Sequence, residues 1–280
     1  MELVSTLKFW ANNSYEHIEV LQNAYKTVGA TLQPSFQQEL QILFNAFKNI
    51  DSQIDNDKIP TNLDNLYQLF MDNNQVFIEL LENLKFDGYN GYPVLFETVQ
   101  HFIYEQLYAI QVLSKGYAKM YEEQLFTLDF ILGPIKIQKQ NMFSTTLNTN
   151  VTSLIGATYF WSLISAEHTS IIANVSPIES NLPVITTDLL TKLRSAFNHV
   201  NYALSNIDKI ADGFISVVDN FLQLNDSFLI MLNNFKVDDS KFVPNSIKKD
   251  LPPLFDGVLN HIIHEQERAG ILINALKQNL

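Results

Sequence analysis

Leu7-Lys8-Phe9-Trp10, with Glu16-His17 shortly after it, returns later in the chain as Thr158-Tyr159-Phe160-Trp161 followed by Glu167-His168. The separation is 151 residues for both the tryptophans (161 − 10) and the histidines (168 − 17). It also carries Leu84-Lys85-Phe86-Asp87 onto Phe235-Lys236-Val237-Asp238. Beyond that point the separation becomes 160, and His101-Phe102-Ile103-Tyr104-Glu105-Gln106 falls on His261-Ile262-Ile263-His264-Glu265-Gln266, with Pro93 on Pro253. A match held in register over such a span reads as an internal duplication. The nine-residue difference (160 − 151) places an insertion around Ser240 to Asp250, a polar stretch containing Pro244. A surface loop absorbs such a length change at small entropic cost.

Each half reads as four helices. In the first half these are Leu3–Val28, Phe36–Ile50, Leu63–Leu84 and Val94–Ser114, broken at Gly29 to Pro34, Asp51 to Thr61 and Asp87 to Pro93. The second half gives Thr149–Ala173, Thr187–Ile210, Phe214–Phe235 and Leu254–Lys277. Ser176-Pro177-Ile178-Glu179 has the form of a capping box with proline at the first helical position. Apolar residues in Leu63–Leu84 recur at helical spacing, and no segment alternates at period two. Short links between long amphipathic helices predict four-helix bundles. The expected fold is therefore all-α, a tandem duplication with bundles at 1–116 and 147–280 and a partly helical connector at 117–146.

Hydrophobic residues make up 46% of the 280 and charged residues 17%, enough to build a packed core and too apolar for wholesale disorder. The net charge of −12 argues against binding nucleic acid or anionic lipid, each of which calls for a basic face. Cysteine is absent, which excludes thiolate catalysis, disulfides and sulfur-ligated metals. Any metal must therefore sit on oxygen and nitrogen. The first ten residues do not resemble a signal peptide. The most apolar stretch, Leu154 to Ala166, is thirteen residues, too short for a bilayer span. These features predict a soluble cytoplasmic protein, with homo-oligomers compatible.

The repeat also holds the chemistry. His101 and Glu105 are four apart on one helical stripe, as are His261 and Glu265. Trp10 and His17 share a face seven residues apart, with Glu16 rotated by about 100° from His17. If the first and last helices of each bundle are neighbours, Glu16, His17, His101 and Glu105 converge, and so do Glu167, His168, His261 and Glu265. Two carboxylates and two imidazoles buried without partners would cost several kcal/mol. One divalent cation per bundle satisfies them and leaves the site neutral. Mixed imidazole and carboxylate donors favour iron, manganese or zinc over calcium or magnesium. Tyr104 and His264 stand one residue before the glutamates as candidates for supporting the ligands. Duplicated structural ion pairs are the simpler alternative. There is no phosphate loop, nucleophile elbow or metalloprotease box, so no catalytic residue is identified.

Phe-Trp-x5-Glu-His, then a Pro-led helix with His-x3-Glu, occurring twice over nearly the whole chain, resembles an uncharacterised ferritin-like family. Its members are two-domain proteins mainly from spore-forming Gram-positive bacteria, described only as a domain of unknown function. The resemblance implies tandem four-helix bundles with a metal, iron first, in each. The family's last-helix motif tends to read Asp-His-x-x-Arg-Glu. Here Gln100 or Asn260 precedes the histidine, and Tyr104 or His264 replaces the arginine. The paired Glu-x-x-His ligands of di-iron bundles are absent, so a mononuclear or incomplete dinuclear site is expected. The competing functions are a metal-free structural or interaction protein associated with sporulation, and a binder of apolar ligands within bundles holding twenty Phe and eleven Tyr.

Overall fold

The computed structural model describes residues 2–55, 58–86, 93–121, 149–179, 182–206, 213–236 and 253–280. All regular structure among them is helical. The helices are α1 (Glu2–Thr27), α2 (Pro34–Gln53), α3 (Leu63–Phe86), α4 (Pro93–Tyr121), α5 (Thr149–Glu179), α6 (Val184–Ser205), α7 (Phe214–Lys236) and α8 (Pro253–Gln278). None of them is long and apolar enough to cross a membrane. The chain divides into two compact units, Met1–Lys136 and Ile137–Leu280.

Helix boundaries follow local chemistry. Proline begins α2, α4 and α8, where its missing N–H would have no intrahelical partner. α1 ends on Gly29 at φ 68°, a left-handed conformation that glycine adopts without steric cost. There the Ala30 N–H donates to the Tyr25 carbonyl at 3.0 Å and the Gly29 N–H to the Lys26 carbonyl at 3.1 Å, a Schellman closure. The Lys8 ammonium donates to the carbonyls of Asp51 (3.0 Å) and Ile54 (2.8 Å), fixing α1 against the C-terminal end of α2, where the helix dipole favours a cation.

Three helix ends differ from the sequence reading by five residues or more (210 − 205 for α6, which stops at Ser205). α4 runs on to Tyr121, so the first residues of the expected connector are helical, and residues 122–148 lie outside the described residues. α5 continues through Pro177 to Glu179, so the expected capping box starts no new helix. Ser176 Oγ accepts instead from the Leu182 N–H at 3.0 Å, so it serves the chain leaving α5. The expected insertion at 240–250 also lies outside the described residues.

In the first unit α1 packs on α2 and α4, and α3 packs on α2 and α4. The second unit has the same scheme, with α5 on α6 and α8, and α7 on α6 and α8. Heptad-like spacing supplies each inner face: Leu3, Leu7, Trp10, Leu21 and Ala24 from α1 are buried, as are Leu40, Leu43, Phe47 and Ile50 from α2. Phe47 meets Phe70 and Phe77 at ring separations of 5.6 and 6.0 Å. Phe197 meets Phe221 and Phe228 at 6.0 and 5.9 Å. The aromatic centre is thus repeated, although Phe47 and Phe197 are 150 apart (197 − 47), one short of the surrounding offset. Phe47→Ala is expected to cost about 3–5 kcal/mol. Ile42→Ala, on the outer face of α2 at 57% exposure, should stay within about 0.5 kcal/mol. Urea unfolding curves of the two variants check the contrast.

Candidate metal centre

In the first unit α1 contributes His17 and α4 contributes His101 and Glu105. The i,i+4 spacing puts His101 one turn from Glu105 on the face that meets α1. His17 Nε2 stands 2.9 Å from Glu105 Oε2, and His101 Nε2 stands 3.4 Å from the same oxygen. The second unit draws His168 from α5 and His261 and Glu265 from α8. There His168 Nε2 is 2.9 Å from Glu265 Oε2, and His261 Nε2 is 3.3 Å from Glu265 Oε1. All six side chains are buried, none more than 4% exposed. Their nitrogen and carboxylate atoms form buried His/Glu groups spaced to hold a metal ion.

The separations have a chemical reading. Donors sharing a metal at about 2.0–2.2 Å stand about 3.0–3.5 Å from one another. The same separations accommodate a proton between nitrogen and oxygen. A carboxylate removed from water costs several kcal/mol if left uncompensated, so a proton or a metal ion belongs between these groups.

Packing and hydrogen bonding hold the imidazoles in place. His17 stacks on Phe102 at 3.9 Å between ring centroids, with 19° between the planes. On its other nitrogen, His17 Nδ1 lies 2.7 Å from the side-chain amide of Gln106, which also meets Ser14 Oγ at 3.0 Å. The Asn74 amide of α3 donates to the Gln106 backbone carbonyl at 2.9 Å. The hydrogen-bond contacts recur in the second unit, with Gln266 2.8 Å from His168 Nδ1, Ser165 2.9 Å from Gln266, and Asn225 donating to the Gln266 carbonyl at 2.9 Å, while Ile262 stands where Phe102 does in the first. Ser14, Asn74 and Gln106 and their counterparts are all buried.

Of the eight ligand candidates read from the sequence, the structure brings six into the buried groups. Glu16 and Glu167 are half-buried and belong to neither group, since the helical rotation that turns each neighbouring histidine inward turns the glutamate toward the helix flank. Burial, the Asp51 carboxylate and the Glu16 carboxylate together push the Tyr15 phenol up to about 12, so Glu16 acts on Tyr15. Tyr104 and His264 are half-buried. His199 is exposed, its Nδ1 2.7 Å from the Ser195 carbonyl.

The sequence reading missed the polar network around the histidines, although the signal was there. Ser14 and Ser165 are 151 apart (165 − 14), as are Asn74 and Asn225 (225 − 74), and Gln106 and Gln266 obey the later offset of 160 (266 − 106). Asn13 breaks the symmetry: its amide nitrogen lies 3.3 Å from His17 Nε2, whereas Ile164 occupies the matching position.

Neither the comparison with protein-family models nor that with curated proteins found a match to the chain. Its class therefore rests on the molecule itself, an all-α protein with buried His/Glu groups able to hold a metal ion. In metal-free protein, His17→Leu should destabilise by about 3–5 kcal/mol, because Glu105 loses its nearer partner. Glu105→Leu added to it should cost less than the sum of the single changes, with a coupling of about 1–3 kcal/mol in a double-mutant cycle read by urea unfolding.

Proposed function

We propose that this chain is a metal-binding protein of ferritin-like architecture, a tandem pair of four-helix bundles. His17, His101 and Glu105 of the first unit and His168, His261 and Glu265 of the second supply its ligands. The observation that carries the proposal is a fully buried carboxylate facing two imidazole nitrogens at 2.9–3.4 Å, built twice from corresponding residues. The paired helix packing and the resemblance in the repeated motifs support the architecture.

Histidine and carboxylate donors without thiolate select a divalent ion of the first transition row, with iron first and manganese or zinc as alternatives. Three or four protein ligands do not fill an iron or manganese coordination sphere, so positions remain for water or a small ligand. Glu105 and Glu265 supply the negative charge, and the burial around them raises the strength of every charge interaction at the site. Binding and holding the ion is the role proposed, with no reaction assigned.

The second reading is a metal-free protein held by buried ion pairs, favoured by the 2.9 Å contacts, which equal an ordinary N–H···O bond. Metal content separates the two. Protein made in medium containing iron, manganese and zinc should retain one of them through purification, as read by elemental analysis. Glu105→Gln and Glu265→Gln should each lower the content, and the combined variant should abolish it. A chelator should lower the Tm by about 5–10 °C, the size expected when a ligand at about a hundred times its Kd is removed. The ion-pair reading expects neither metal nor a chelator effect.

A further inference from the structure

Each histidine nearest a buried glutamate is tied to a glutamine, and the protons in that tie do not add up in the simplest arrangement. Ser14 Oγ is 2.7 Å from the Trp10 carbonyl oxygen and 3.0 Å from Gln106 Oε1. Both are acceptors, and a hydroxyl has one proton to give. One of the two contacts would then be oxygen against oxygen with no hydrogen between. The second unit repeats the conflict, with Ser165 Oγ 2.7 Å from the Trp161 carbonyl and 2.9 Å from Gln266 Oε1.

Turning the glutamine amide over by half a turn exchanges its oxygen and nitrogen with almost no movement of heavy atoms. The conflict then disappears. Ser14 donates to the Trp10 carbonyl, the Gln106 amide donates to Ser14 Oγ, and the Gln106 oxygen faces His17 Nδ1 at the observed 2.7 Å. A contact that short between an amide oxygen and a ring nitrogen requires a proton on Nδ1. In a neutral ring a proton on Nδ1 leaves the Nε2 lone pair pointed at Glu105, 2.9 Å away, with room for a cation between them. In the opposite orientation Nδ1 would accept from the amide, Nε2 would carry the proton, and no lone pair would face the site.

We propose that Gln106 and Gln266 are positioning residues whose amide oxygens hold the Nδ1–H of His17 and His168, so that each Nε2 is presented as a metal ligand. The proposal rests on the metal-binding reading for its purpose and on the proton count for its geometry. Asn74 and Asn225 reinforce it from the third helix of each unit by donating to the carbonyl of the same glutamine. Metal-ligating histidines generally depend on such an acceptor at the other ring nitrogen, and its loss typically lowers affinity 10–100-fold.

Nitrogen–proton NMR correlations through the imidazole rings of His17 and His168, in metal-free and zinc-loaded wild-type protein, test the geometry without any substitution. Both spectra should show a proton on Nδ1, and a bare Nδ1 in the metal-free protein overturns the assignment. Zinc affinity, read by competition with a chromophoric chelator, tests the purpose. Gln106→Met with Gln266→Met keeps volume and removes the acceptor, and should weaken zinc about 10–100-fold. Gln106→Glu with Gln266→Glu keeps an acceptor and should bind at least as tightly as wild type. Unchanged affinity in the methionine variant overturns the positioning role. Zinc failing to bind wild-type protein overturns the metal reading instead, and the metal-free spectrum then still decides the amide orientation.

Discussion

Each unit carries a carboxyl group sealed from water, Glu105 in one and Glu265 in the other, with histidines and amides arranged around it. An unpaired charge there would cost more than most single core contacts contribute. Partners must therefore be built in, and they come from two helices distant in sequence. His101 and His261 lie one turn before the glutamates on the same helix, while His17 and His168 reach across from the first helix of each unit. The pairing ties α1 to α4 and α5 to α8 at one depth. Apolar packing then completes the surroundings, with Phe102 stacked on His17 and the phenylalanine clusters centred on Phe47 and Phe197.

Much of this was legible because repetition in the sequence turns weak patterns into strong ones. A lone His-x3-Glu is an ordinary surface pair. His101 and Glu105 recurring as His261 and Glu265, each after a helix-opening proline, single out a face under a common constraint. Helix positions were legible for the usual reason: apolar spacing of three and four, with proline and glycine marking the ends. The breaks that went astray, at Gly116 and Pro177, are places where a helix runs past a residue that usually signals its end.

What was not legible was direction. Glu16 and His17 are adjacent, and nothing in the dipeptide says which of the two enters the interior. The face carrying Trp10, Ser14, His17 and Leu21 decides it, and Glu16 is left on the flank near Tyr15. The glutamine, serine and asparagine around the histidines were hidden for a different reason. Uncharged polar residues are common on helices, and Asn74 and Asn225 share the repeat offset without a charge to mark them. A neutral amide positions an imidazole without adding buried charge.

X-ray absorption at the metal edge, on protein loaded with iron, manganese or zinc and freed of excess ion, is the decisive measurement. Ligation by these side chains predicts a nitrogen and oxygen shell at about 2.0–2.2 Å with the multiple-scattering signature of coordinated imidazole, weakened when His17 and His168 are replaced together. A shell of oxygen alone, without imidazole scattering and unchanged by those replacements, would contradict it.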